Sequence, residues 1–355
     1  MYYFHNDYNE ACHPRITEKL SSHSAMQMPG YGTDLCCARA AQLIRSACKS
    51  DNAAVHFLVG GTQCNLTVIS ASLRPHQAVI GAVSAHINIH ETGAIEATGH
   101  KVIAVTSTDG KITAEQIDVI AGLHYTDSEP EHLVQPKMVY ISMPTELGTM
   151  YSLEELEDIS TVCRKFGLYL YVDGARLGYG LCESGNRITM ADLARLCDVF
   201  YIGGTKVGAM FGEAVVISNP IIASDFRYLI KQNGGLLAKG WLLGLQFEAL
   251  FEDGLYFTIG NHAVLLADQI RNTLEELGYS LLVNGKSNQV FPILPNSLLN
   301  ELGKSFTFMT QERIDSDFTA VRFCTSWATK PDAVNALCEA LKRLTHKEKG
   351  EHYAF

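Results

Sequence analysis

The Cys-x-x-Cys spacing is missing from this chain. Its ten cysteines, at positions 12, 36, 37, 48, 64, 163, 182, 197, 324 and 338, include no Cys-x-x-Cys pair, which removes the common zinc-ribbon and dithiol redox readings. Scattered among strand-like and helix-like segments, they read as free, buried thiols in a reducing compartment. Long hydrophobic runs are missing too: "WLLGLQFEALF" (241–251) is short and carries Gln246 and Glu248, so no membrane span is expected. The first residues, "MYYFHNDYNEACHPRITEKL", have neither a basic start ahead of an apolar stretch nor a small-residue cleavage site, and the expectation is a soluble cytoplasmic protein. Positive charge is in short supply. With 28 Lys and Arg against 38 Asp and Glu, the formal net charge is -10, which disfavours nucleic acid or an anionic membrane as the main partner. Gly-x-Gly-x-x-Gly is absent as well, which weakens a dinucleotide-binding reading.

What is present suffices for a large core. Across 355 residues, 47% are apolar, enough for one large domain and a smaller one. Seven short β-rich runs alternate with helix-like segments: "AVHFLV" (54–59), "AVIGA" (78–82), "KVIAV" (101–105), "KMVYISM" (137–143), "LYLYVD" (168–173), "VFYIG" (199–203) and "EAVVIS" (213–218). In "SLEELEDISTVCRKFG" (152–167), Ser152 and Glu155 form a capping box and Gly167 closes a helix. Thr189 and Asp192 repeat the start signal. Apolar strands alternating with helices predict an α/β fold with a mostly parallel sheet covered on both faces. After residues 233–235 the texture changes to a helix from Leu236 to about residue 253, a second over 262–278, sparser strand signals and a last helix from Pro331. The expected division is an amino-terminal arm (1–30) without clear periodicity, a large domain (31–235) and a small α+β domain (236–355).

Three motifs carry chemistry. In "FLVGGTQCNL" (57–66) a strand runs through Gly60, Gly61 and Thr62 into a helix; this is either a plain turn or a phosphate cradle, because glycines let the backbone approach an anion and the helix start offers donors. In "YVDGARLG" (171–178) a strand ends in Asp173, either a cap for the next turn or a ligand group at the carboxyl end of a strand, where open α/β sheets bind ligands. In "FYIGGTKVGAMFG" (200–212) one lysine sits among glycines, and Gly204-Thr205-Lys206 lacks the spacing of a nucleotide phosphate loop. "SAHINIHETGA" (84–94) adds His86, His90 and Glu91. Two histidines four apart suit one face of a helix, yet no His-Glu-x-x-His string or third ligand accompanies them, so no metal is expected; an imidazole also suits stacking on a heterocycle. Together these features match the needs of pyridoxal 5'-phosphate: a cradle for its phosphate, a carboxylate for its ring nitrogen and a lysine for its aldehyde. A desolvated lysine in a positive site loses its proton more readily and attacks a carbonyl.

At this point the sequence resembles the threonine aldolase and β-eliminating lyase group of fold-type I pyridoxal phosphate enzymes. The resemblance rests on the order of "HND" (5–7), "YGTD" (31–34), "GGTQCNL" (60–66), "AHINIHETGA" (85–94), "VDGARL" (172–177) and "GGTKVG" (203–208). It implies that Gly61 and Thr62 hold the phosphate, that His86 stacks on the ring and that Asp173 meets the ring nitrogen. It further implies that Lys206, with Thr205 beside it in the cofactor set, forms the covalent link. Arg176 is implied beside the ring oxygen and the substrate carboxylate, with Arg322 of "AVRFCTSW" as the second carboxylate-binding arginine and Asn6 where the family usually has a serine. Two departures stand out. "MPTELGT" (143–149) puts Glu146 where the family usually has a histidine near the substrate hydroxyl, so the candidate base is Glu146 or an ordered water near His86, and His86 joins Lys206 and Glu146 in the catalytic set. "GGLLAKG" (234–240) offers Lys239, shifted from the position of an arginine that usually reaches a neighbouring subunit.

The resemblance thus implies a lyase that cleaves the Cα–Cβ bond of β-hydroxy amino acids, taking L-threonine or L-allo-threonine to glycine and acetaldehyde. It also implies a small amino-acid substrate and a homodimer or homotetramer. A β-eliminating lyase acting on another β-substituted amino acid, or a non-catalytic relative, is the alternative.

Overall fold

The computed structural model describes residues 1–351. Seven strands form one sheet: β1 (Ala54–Leu58), β2 (Gln77–Ala82), β3 (Lys101–Val105), β4 (Gln135–Ser142), β5 (Tyr169–Asp173), β6 (Val199–Gly203) and β7 (Glu213–Ile217). Their spatial order is β1-β7-β6-β5-β4-β2-β3. Pairings from β3 across to β6 are parallel, while β7 runs antiparallel to both β6 and β1. Every residue of β2, β6 and β7 is buried, as expected of continuous apolar strands covered by helices on both faces. The mostly parallel seven-stranded sheet expected from the sequence is therefore present.

The helices follow their signals where those signals are local. Helix α1 spans Pro14–His23, α2 Leu35–Cys48, α3 Gly61–Ser72 and α4 Leu153–Phe166. Both capping boxes form: Ser152 with Glu155 opens α4, which Gly167 closes at φ 63°, and Thr189 with Asp192 opens the short helix Met190–Leu196. Where tertiary contacts intervene, the structure departs from the sequence reading. Helix α5 covers Trp241–Phe251 rather than starting at Leu236, because the preceding residues pair with the segment around Gly30, Tyr31 donating its N–H to the Ala238 carbonyl at 3.3 Å. Helix α6, Leu255–Leu277, begins a full seven residues before His262. It carries Gly260 in its interior because a Cβ there would lie 2.3 Å from the Gly178 carbonyl oxygen. The arm contains α1, whose only buried residue is Ile16, so it leaves no apolar stripe to read.

A second, antiparallel sheet joins β8 (Ile293–Pro295), β9 (Met309–Arg313) and β10 (Phe318–Cys324). The first residues of the chain lie against this region: Tyr2–Tyr3 pair in parallel with Phe306–Thr307, and Phe4 is buried with Leu294, Phe323 and Leu337. Leu337 lies on the last helix, α7 (Pro331–Glu351). Helix α6 serves two cores. Residues through Val264 pack with the large sheet, and Leu266 onward with the small one; the change of texture at 233–235 falls ahead of this division. All ten cysteines are free and nine are buried. Among the described residues no helix is long and apolar enough to cross a membrane, and no group of three or more His, Cys, Asp or Glu is placed to hold a metal.

Candidate active site

The parallel strands β4, β5 and β6 end side by side, and backbone contact locks β5 to β6. A Cβ on Gly174 would sit 2.0 Å from the Tyr201 carbonyl oxygen, and one on Gly203 would sit 2.1 Å from that of Ala175; the Gly203 N–H donates to the Gly174 carbonyl at 2.9 Å. That approach sets Asp173 and the loop bearing Lys206 on one wall. A cavity of about 390 Å³ opens there, and Gly61, Thr62, His86, Glu146, Asp173, Arg176, Thr205 and Lys206 all line it. Cavities of this size suit a small organic ligand.

Asp173, His86, Glu146 and Arg176 are each held by specific partners. Asp173 Oδ2 accepts from the Tyr140 hydroxyl at 2.6 Å and Asn65 Nδ2 at 3.2 Å, while Oδ1 accepts from the Ala175 N–H at 3.0 Å and from the Tyr201 hydroxyl. The His86 ring places Nδ1 2.7 Å from Glu91 Oε1, and Asn65 Nδ2 donates to that same oxygen at 2.6 Å. Burial alone would lower the His86 pKa, but the Glu91 bond and the nearby Asp173 carry it above its usual 6.5. Glu146 Oε1 accepts from the Ser142 hydroxyl at 2.7 Å and from the His86 N–H at 2.8 Å; burial, opposed by the Ser142 bond, raises its pKa. Burial first, and then the Arg176 charge, hold the Lys206 amine below its usual 10.5. A lysine so placed gives up its proton more easily and becomes a nucleophile.

Arg176 lines the cavity as expected but has a partner the sequence reading did not name, and two other expected site residues, Asn6 and Arg322, are not brought to the cavity. Arg176 is held by two bonds to Asp7: Nε donates to Oδ2 at 2.7 Å and Nη2 to Oδ1 at 3.0 Å. Asn6 is not brought to the cavity wall; its Oδ1 accepts the Tyr8 N–H at 3.0 Å, and it lines a separate cleft with Ser326. Arg322 does not line the cavity either. It donates to Gln289 Oε1 at 3.2 Å and to the His5 carbonyl at 2.9 Å, leaving its buried Nε without a partner. Lys239 lies in the turn ahead of α5, away from this wall. Asp7, Asn65, Tyr140, Tyr201 and Glu213 complete the surroundings, and sequence reasoning assigned none of them. Asp7 stood inside the "HND" string, but a buried charge leaves no mark in a sequence.

Residues 16–296 match the model of the β-eliminating lyase family. The chain belongs to the β-eliminating lyase family. Within it, the protein is 32% identical to a low specificity L-threonine aldolase from a Pseudomonas species over 88% of this chain and 89% of that one. Its structure matches that of Leishmania major threonine aldolase with a TM-score of 0.94 at 48% identity, covering 97% of this chain and all of the other. A Thermus thermophilus aspartate aminotransferase shares the fold at 14% identity, with a TM-score of 0.69 over 96% of this chain and 91% of that one. This family member therefore has the fold-type I architecture of a large sheet with a small α+β region against it.

Proposed function

We propose that this chain is a pyridoxal 5'-phosphate-dependent aldehyde-lyase that cleaves β-hydroxy amino acids between Cα and Cβ, taking L-threonine or L-allo-threonine to glycine and acetaldehyde. The observation that carries the reading is the convergence of Lys206, Asp173 and the Gly61–Thr62 turn on one cavity. The donor set fits the cofactor. A depressed lysine amine suits an aldehyde, a buried carboxylate suits a protonated ring nitrogen, and the turn opening α3 presents backbone donors to a phosphate.

When bound, pyridoxal phosphate supplies a sink for the electron pair left at the substrate's Cα. The protein does the rest. Lys206 Nζ would hold the cofactor's aldehyde, and its depressed amine is a base within the cavity. Asp173 keeps its orientation through Tyr140, Tyr201, Asn65 and the Ala175 N–H. Arg176, with Nε and Nη2 engaged by Asp7, is left with Nη1 for a substrate carboxylate. That fixed charge would orient a substrate through its carboxylate, and orientation of this kind is a large share of such catalysis. The Glu146 carboxylate accepts from Ser142, the His86 N–H and its own N–H, leaving about one of its four acceptor positions for the β-hydroxyl. Its raised pKa brings it nearer to working pH, which favours a general base.

The assembly proposed is a homodimer or homotetramer, as the resemblance implies, and light scattering measures it. The free, buried thiols support a reducing compartment such as the cytoplasm. The test of function is the visible spectrum before and after borohydride, followed by product analysis with both threonine isomers. Expected are a chromophore fixed on Lys206, absent in Lys206→Ala, and release of acetaldehyde and glycine. Keto acid and ammonia instead of aldehyde would overturn aldol cleavage; a protein that takes up no cofactor would overturn the whole reading.

A further inference from the structure

Glu213 is a carboxylate in the cavity wall that has no task in the aldol cleavage. It is the first residue of β7, in register with Leu58 at the end of β1 and with Gly203 at the end of β6. It therefore lies between the two backbone segments that would cradle a phosphate, the turn into α3 and the Gly204–Thr205 step. Its Oε2 accepts the Gly204 N–H at 2.8 Å, and the Thr205 side chain bonds to the carboxyl as well. A buried internal carboxylate already engages donors in the cradle.

An ionised Glu213 and a phosphate dianion are incompatible neighbours in a desolvated site. The groups that face it are Lys206 and Asp173, the phenols of Tyr171, Tyr201 and Tyr256, and the Cys64 thiol. Lys206 is the one cation among them, and attachment of the cofactor's aldehyde consumes its amine. Loading therefore brings in an anion and weakens the nearest positive charge. Both changes favour a proton on Glu213. Burial already pushes its pKa up to about 8, against the lowering effect of the Gly204 and Thr205 bonds and of Lys206.

We propose that Glu213 is a proton-dependent member of the phosphate cradle: protonated, it gives the cofactor's phosphate an uncharged hydrogen-bonding neighbour; ionised, it keeps the Gly204 and Thr205 donors for itself and opposes loading. This inference rests on the pyridoxal phosphate reading of the site. It makes loading take up a proton, so affinity falls by up to about tenfold per pH unit once Glu213 ionises in the free protein.

The test uses the apoprotein and pyridoxine 5'-phosphate, which has the ring and the phosphate but no aldehyde, so Lys206 is not consumed. Calorimetric titrations from about pH 7 to about pH 9.5 are run on the wild type, Glu213→Gln and Glu213→Ser, with unphosphorylated pyridoxine as the second ligand. The expected result is a wild-type Kd that weakens about tenfold or more across this range, with uptake of about one proton, while both variants change less than about threefold. Parallel pH curves in wild type and variants would overturn the role of Glu213, as would an equal loss for pyridoxine, because the effect would then not be directed at the phosphate. If the variants do not fold, proton uptake by the wild type, measured in buffers of differing ionisation enthalpy, decides the question: binding of the phosphorylated ligand without uptake would overturn the proposal. A wild type that binds neither ligand at any pH would bring down the cofactor reading itself, an outcome distinct from binding that ignores Glu213.

Discussion

Asp7 and Arg176 are joined by two parallel hydrogen bonds, Nε to Oδ2 at 2.7 Å and Nη2 to Oδ1 at 3.0 Å, with Asp7 wholly buried. Asn288 adds a third, Nδ2 to Oδ2 at 2.9 Å. One carboxylate from the chain's first residues thus ties the loop after β5 to the segment preceding β8. Removing one member of a buried pair leaves an uncompensated charge, so Asp7→Ala is expected to cost about 3–5 kcal/mol, read as a lower denaturant midpoint. The pH dependence has a definite sign. Burial would raise the Asp7 pKa, but Arg176, Lys206 and the bonds from Arg176 and Asn288 together bring it below 3.8. Its stabilising contribution is complete above 3.8 and disappears as pH falls through the lower folded value. Asp7→Ala should lack that part of the acid transition.

His86 and Glu91 form the second testable pair. Burial lowers the His86 pKa, and the Glu91 bond together with the nearby Asp173 overrides it, so in Glu91→Gln the imidazole should titrate at a lower pH than in the wild type. A histidine NMR titration measures this directly. For the wild type, a folded pKa above the unfolded value means that the pair's stabilisation is full below 6.5 and is lost as pH rises through the folded pKa. The variant should lose that pH dependence, and a His86 pKa unmoved by the substitution would overturn Glu91 as its cause.

What could be read in the sequence was what local chemistry writes there. The capping boxes at Ser152 and Thr189 and the seven apolar strands were legible because each signal lies within a few residues. Lys206, Asp173 and Gly61 were legible because strand ends followed by glycines mark ligand positions in open α/β sheets. The partner of Arg176 was not, since Asp7 lies 169 residues away and a bidentate arginine fits a substrate carboxylate and a buried aspartate equally well. The start of α6 was hidden by Gly260, which reads as a breaker until its packing against Gly178 is seen. Glu213 carried no signal of its own in the sequence, because only the register with Leu58 and Gly203 brings it into the cavity wall.

Gly174 offers a test of how the site is held together. Its Cβ position lies 2.0 Å from the Tyr201 carbonyl oxygen, a backbone atom that no rotamer change can move aside. Gly174→Ala must therefore force β5 and β6 apart, and overpacking of this kind typically costs about 1–3 kcal/mol or more. Because the same contact sets Asp173 against the Lys206 loop, cofactor retention should fall together with the thermal midpoint. A variant with unchanged midpoint and retention would show that the two strand ends are positioned independently.

Glu146 carries the prediction that bears most directly on the chemistry. Its carboxylate is fixed by Ser142 and the His86 N–H, and glutamine keeps an oxygen able to accept both bonds while losing the ability to take a proton. Glu146→Gln should therefore fold and keep its cofactor spectrum, while kcat/KM for aldol cleavage falls by about 10²–10⁴. The pH profile separates a base from a structural prop. Burial raises the Glu146 pKa above 4.5, so wild-type activity should rise with pH along a limb displaced upward from the ordinary carboxylate range, as the carboxyl ionises into its basic form. Glutamine cannot ionise, and the residual activity of Glu146→Gln should lack that limb. A variant that cleaves normally, or that loses rate but keeps the limb, would move the base elsewhere in the cavity, with the His86 imidazole the next group to replace.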